Sequence, residues 1–217
     1  MRTSSLLDGI AHGFTGVHEG DLRHPCAPSG STASAELVAA LGGRGPLRMV
    51  TQVHGARVVD VEEAAFVTEA DAIVSSAPGA VVAVRVADCV PILIAGAGVV
   101  AAVHAGWRGT AADIVRHTLV EVRRRTSAPL RAAIGPAICG ACYEVGDEVL
   151  HGVGAVAPGS AWRSGRRVDL AVANAEILRD EGVLVDVLGL CTRCGEGYWS
   201  HRRDGAAAGR QVGAIRA

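Results

Sequence analysis

Several things are missing from this 217-residue chain, and each absence removes a class of protein. There is no lysine: all 21 basic residues are arginine, set against 22 acidic ones. That balance removes any general electrostatic case for nucleic acid or membrane binding. In a chain so rich in Ala, Gly and Val, arginine-only usage reads as compositional bias. The opening MRTSSLLDGIAHGFTG has no basic segment followed by a long apolar one, so no secretory signal is expected. No run of about 18 apolar residues is free of charges and turn residues, so no membrane span is expected either. The cytoplasm is then the expected compartment. There the six cysteines (Cys26, Cys89, Cys139, Cys142, Cys191 and Cys194) are expected as thiols or metal ligands, not disulfides. No internal repeat is visible. None of the eight histidines forms a His-x-His pair, which argues against an imidazole-rich multinuclear metal centre.

What is present is a large apolar fraction, 49% of the chain, enough for the core of one domain over residues 1–217. His18–Glu36 is polar and turn-rich and reads as a loop. A short helix is expected over Ala33–Leu41, stopped by Gly42-Gly43. LRMVTQVHGARVVDVEE reads as one or two strands broken at His54-Gly55, and Ala80–Ala87 as a further strand. Thr110 is expected to open a helix, with Asp113 completing a capping-box pattern. Ile114, Val115, Leu119 and Val122 fall on one face of it, and Arg123, Arg124 and Arg125 close it. LRAAIGPAIC is a strand. Asp169 caps a helix that Gly182 ends, and LVDVLGLC is a late strand. Strands joined by short turns and interspersed with helices predict one mixed α/β domain with antiparallel pairing, not a doubly wound parallel sheet.

The chemistry concentrates in VADCVPILIAGAGVVAAVHAGWRGT, residues 86–110. Two apolar runs flank a glycine turn. With Gly96-Ala97 as a two-residue loop, Ala95 faces Gly98 and Cys89 faces His104; a three-residue loop moves the register by one. Opposed Cβ atoms lie about 4.5–5.5 Å apart, which suits a shared metal or a thiolate–imidazolium pair. A lone cysteine or histidine here would be an ordinary buried side chain. The two together, between Asp88 and Trp107-Arg108, point to a site. His54, before a glycine, is a third candidate, although His12 and His18 also lie in loops.

Other segments carry weaker signals. Cys139-x-x-Cys142 and Cys191-x-x-Cys194 have the form of zinc knuckles, but the 48 residues between them (143–190) exceed the usual ~15–20. They read first as half-buried thiols, with a structural zinc or a reversible disulfide as alternatives. Gly106-Trp107-Arg108-Gly109-Thr110 leads into a helix, where free N–H groups and Arg108 suit an anion. In the tail, Arg202 and Arg203 suit phosphate, with Tyr198 or Trp199 against a flat base. A surface turn is the plain alternative. Asp88 is a candidate general acid or a structural carboxylate.

TQVHG, ADCVPILI, VHAGWRGT, IGPAICGACYEVG, the late CT and SHRRDGAAAGR stand in the order of one family. The chain resembles, over about residues 50–213, the family variously called multicopper polyphenol oxidase (laccase-like), peptidoglycan editing factor and purine nucleoside phosphorylase. The resemblance implies a single-domain α/β/β/α sandwich with antiparallel or mixed sheets. It implies zinc held by His54, Cys89 and His104, which are also the catalytic residues, with copper as an alternative metal. Arg108, Arg202 and Arg203 would bind substrate. The implied activity is phosphorolysis of adenosine, inosine and methylthioadenosine with phosphate, together with adenosine deamination. Alternatives are a Cys–His amide hydrolase acting on cell-wall precursors, weak copper-dependent polyphenol oxidation, and a catalytically silent zinc protein. The chain departs from the family near its start, where HGFTGVHEGDLRHP lacks the usual early arginine, glycine-rich stretch and Asn-Leu.

Overall fold

The computed structural model describes residues 1–23, 28–158, 162–163 and 165–217. In chain order the elements are β1 (His12–Phe14), α1 (Pro28–Ala40), β2 (Val58–Asp60), β3 (Ala72–Ser75), β4 (Val81–Val86), β5 (Val90–Gly96), β6 (Val99–Ala105), α2 (Trp107–Ala111), α3 (Ile114–Arg123), β7 (Arg131–Ile134), α4 (Asp147–Val156), β8 (Trp162–Arg163), β9 (Arg167–Val168), α5 (Leu170–Asp180), β10 (Leu184–Val187), α6 (His201–Asp204) and β11 (Gln211–Arg216). Six strands form a mixed sheet in the order β10-β7-β5-β6-β3-β2, and three form a second sheet in the order β1-β11-β4. Only the outer pairs β10–β7 and β2–β3 of the large sheet are parallel.

Side-chain alternation explains the layering. Successive residues of a strand point to opposite faces. In β5, Ile92 and Ile94 pack with Ile114, Leu119, Ile177 and Leu178 of α3 and α5. Leu93 and Ala95 point the other way, into the layer between the sheets, beside Val82 and Val84 of β4. The opposite face of β4 carries Val81 and Ala83 onto Leu37 and Val38 of α1 and Leu41 just after it. The result is a helix–sheet–sheet–helix sandwich with three apolar layers. Strands buried on both faces account for the near-continuous apolar runs. Each fully buried Ile or Leu contributes about 1.5–3 kcal/mol.

Several boundaries differ from the sequence-based expectation. The β5–β6 turn is Ala97-Gly98, not Gly96-Ala97: Gly96 pairs with Val99 and Pro91 with His104. Gly98 takes φ 71°, the left-handed conformation that glycine accepts at no steric cost, and this fixes the turn one residue later. The register therefore moves by two. Cys89 stands opposite Gly106, and His104 is its diagonal neighbour. A shift of two keeps both side chains on the same face of the sheet.

The helix expected to open at Thr110 instead starts at Trp107 and breaks. Ala112 caps the end of α2, and Asp113, at φ 67°, stands at the N-cap of α3 without a side-chain cap bond. Ile114, Val115, Leu119 and Val122 are buried as expected. α1 begins at Pro28, shortening the expected loop; residues 24–27 of that loop, with Cys26, lie outside the described residues. α4 was not foreseen, because Gly152 and Gly154 dilute its apolar face. Gly152 permits close packing on α2, where an added Cβ would sit 3.2 Å from Ala111.

Candidate active site

The site lies where the open end of the β5–β6 hairpin meets the loop before β2. Asp71 organises it. This carboxylate is fully buried beside β3, between Ala70 and Ala72. It accepts the backbone N–H of His54 at 2.9 Å and of Gly55 at 2.7 Å. Those bonds hold the loop in a tight turn, with His54 itself at φ 61°. Asp71 Oδ1 also takes the Nδ1–H of buried His104 at 2.7 Å. That bond fixes the ring so that Nε2 is the atom left to meet Cys89. Burial pushes the Asp71 carboxyl up. The hydrogen bonds from His104 and from the Gly55 and His54 amides outweigh burial and hold it below the usual range.

The three expected residues converge. The Nε2 atom of His54 lies 3.8 Å from Cys89 Sγ. The two imidazole rings meet edge to face, with centroids 4.8 Å apart. One ligand atom from each of His54, Cys89 and His104 lies within 4.8 Å of the others. Gly106 makes the approach possible: a Cβ there would fall 2.9 Å from the His54 ring and 3.2 Å from Cys89 Sγ.

Charge on these groups follows from their contacts. Burial pushes the Cys89 thiol up, but His104, and then His54, overcome it and bring it down to about 6. Burial likewise depresses His104, yet the Cys89 charge and the Asp71 hydrogen bond raise it to about 9. Without a metal, thiol and imidazole therefore stand as a thiolate–imidazolium pair near neutrality.

The trio opens into a cleft of about 590 Å³, lined by Arg23, Arg85, Arg202 and Arg210 and by the apolar Ile138 and Leu170. Tyr143 also lines it, its phenol pushed up to about 12 by burial and by the nearby Cys89 charge. The three arginines expected to touch substrate are separated. Arg202 lines the cleft, with its guanidinium 5.1 Å from the Tyr143 ring centroid and bonded to the Glu144 carbonyl at 3.0 Å. Arg203 turns away and binds the carbonyls of Thr192 and Tyr198 and the carboxylate of Asp204. Arg108 is exposed and stacks on Trp107 at 4.4 Å, outside the cleft lining. Asp88 has both oxygens engaged, by the Thr192 hydroxyl and the Arg202 amide, each at 2.6 Å. It acts as a structural carboxylate that ties the tail to the turn before Cys89.

Sequence reading passed over Asp71, Tyr143, Arg23, Arg85 and Arg210. A usable signal existed for Asp71: an acid set inside the apolar run ADAIV must find donors when buried. The arginines come from three distant segments, and only the fold brings them together.

The chain is similar to known proteins over most of its length. The family described as multi-copper polyphenol oxidoreductase laccase matches residues 16–217. A purine nucleoside phosphorylase of Deinococcus radiodurans is 40% identical over 192 residues, covering 83% of this chain and 74% of its own. Adenosine deaminase RL5, from an unknown prokaryotic organism, is 36% identical over 196 residues, covering 76% and 72%. The crystal structure of YlmD from Geobacillus stearothermophilus superposes with a TM-score of 0.80 at 30% identity, covering 98% of this chain and 93% of that one.

Proposed function

The chain belongs to the multi-copper polyphenol oxidoreductase laccase family, and we propose that it is a zinc-dependent purine nucleoside phosphorylase that also deaminates adenosine. Its substrates would be adenosine, inosine and methylthioadenosine with phosphate. The observation that carries this reading is the convergence of His54, Cys89 and His104 at the floor of an arginine-lined cleft.

The donor set fits zinc. One thiolate and two imidazoles suit that ion and leave a fourth position open. The Asp71–His104 bond is the carboxylate–histidine support that such ligands use. Zinc held there supplies a Lewis acid for activating water or polarising an oxygen. The remaining work falls to the chain's own residues. Arg202, with Arg85 and Arg210 of the same cleft lining, holds the phosphate dianion. Ile138 and Leu170 give the purine an apolar face. Tyr143 stays protonated and offers its O–H to the departing base. In phosphorolysis the glycosidic C1′–N bond breaks, a phosphate oxygen bonds to C1′, and the base leaves with a proton. In deamination water adds at C6 of adenine and ammonia leaves.

A second reading has its own support: the Asp71–His104–Cys89 series has the geometry of a metal-free cysteine nucleophile with base and orienting acid. A multicopper oxidase has less. Among the described residues, only one cluster contains histidine, and it has two. Inosine with phosphate, assayed for hypoxanthine before and after chelation, separates the first two readings. Activity lost on chelation and restored by zinc supports the phosphorylase; amide hydrolysis unaffected by chelation replaces it.

A further inference from the structure

We propose that Cys139, Cys142, Cys191 and Cys194 form a second, purely structural zinc site that locks one wall of the cleft. All four are free thiols, and their sulfur atoms lie within 4.8 Å of one another. A tetrahedral zinc with Zn–S of about 2.3 Å needs sulfurs about 3.8 Å apart, so closure asks for shifts of an ångström or less.

The backbone around them is already arranged for it. Each C-x-x-C closes on itself: Cys142 N–H donates to the Cys139 carbonyl at 2.9 Å, and Gly195 N–H to the Cys191 carbonyl at 3.0 Å. Two amides aim at one sulfur, with Cys139 N–H at 3.3 Å and Cys194 N–H at 3.5 Å from Cys191 Sγ. Such donors stabilise a thiolate. A bridge between Ala137 and Cys191 sets the two turns side by side, so the long separation in sequence vanishes in space.

The position gives the site its role. Ile138 N–H donates to the Asp88 carbonyl at 3.0 Å, and the Thr192 hydroxyl to the Asp88 carboxylate at 2.6 Å. Both cysteine-bearing loops therefore rest on the residue before Cys89, and Ile138 and Tyr143 line the cleft. Four protein ligands leave no open position, so this zinc would take no part in turnover. Binding converts four thiols to thiolates and releases their protons to solvent. The inference is independent of what the cleft does.

Zinc counted on the full chain, purified reduced and without added metal chelator, tests it. Two equivalents are expected for the wild type, one for Cys142→Ser/Cys194→Ser and one for Cys89→Ser. Cobalt substitution gives a second readout. Cys89→Ser should keep the intense thiolate-to-cobalt absorption of a four-sulfur site. If the double variant does not fold, the wild type still decides: zinc should protect these four thiols from alkylation, and chelation should expose them. A wild type holding one zinc that is lost with Cys89→Ser would overturn the proposal, as would disulfides among these four cysteines in the zinc-replete protein. Either result leaves the cleft reading standing.

Discussion

Two clusters of sulfur and nitrogen donors lie close together in this molecule and are built in opposite ways. The cleft trio takes one ligand from each of three segments: the loop before β2, the start of β5 and the end of β6. It is held from behind by a buried carboxylate and open in front. The cysteine cluster takes two ligands from each of two self-closing turns, and the carboxylates near it, Asp169 and Asp88, bond the Gly140 amide and the Thr192 hydroxyl of those turns. Three donors facing a cavity leave room for a reacting molecule; four donors facing one another do not. Ligand count and access, not donor type alone, separate a reactive centre from a clamp.

The sharpest way to break this contrast is to remove the shared thiol of the open site. Cys89→Ala should abolish phosphorolysis and cost one zinc, while circular dichroism and the thermal midpoint stay near wild type, because the three apolar layers are untouched. Full retention of activity would return the reaction to another site. Asp71→Asn follows. The amide must face three or more donors with one N–H₂ group of its own, so zinc affinity or activity should fall about 10–100-fold. The fold should lose about 1–3 kcal/mol by urea denaturation. Gly106→Ala places a methyl 2.9 Å from His54 and 3.2 Å from Cys89 Sγ. A fall of about tenfold in zinc affinity, near 1.4 kcal/mol, is expected with little change in folding.

The pH behaviour of the metal-free protein sharpens the same comparison. With Cys89 near 6 and His104 near 9, the charged pair exists between those values. Lowering pH through about 6 protonates the thiolate, so the alkylation rate of wild type minus that of Cys89→Ser should fall there. The lowered Cys89 value adds stability as pH rises from about 6 toward 9. The raised His104 value removes stability from about 6.5 to 9. The two oppose, so unfolding free energy should be nearly flat across that window. A Cys89 thiol that titrates near its ordinary 9.0 would break the account of the pair. Smallest is the arginine contrast: Arg202→Ala should raise the phosphate KM about tenfold, and Arg108→Ala by less, since Arg108 is exposed on Trp107.

How much of this was legible beforehand depends on which distances matter. The hairpin, its two buried faces and the same-side placement of Cys89 and His104 follow from an apolar period and a glycine turn. The register does not, because Gly96-Ala97-Gly98 admits more than one turn and only the left-handed Gly98 decides. His54 looked like His12 and His18 until Asp71, 17 residues on, tied its loop down. The long gap between the C-x-x-C pairs argued against a joint site, since spacing along the chain says nothing about a bridge such as Ala137–Cys191. Arg203 looked equal to Arg202, yet one residue of helical rotation in α6 sends it into backbone carbonyls.

The central claim is that a metal held by His54, Cys89 and His104 turns over purine nucleosides. Its most direct test is hypoxanthine release from inosine and phosphate by wild-type protein stripped of metal and then titrated with zinc. The account predicts no activity in the stripped protein and a rise that saturates with zinc in the wild type but stays absent in Cys89→Ser. Undiminished phosphorolysis by the stripped wild type, or zinc-restored phosphorolysis in Cys89→Ser, would contradict it.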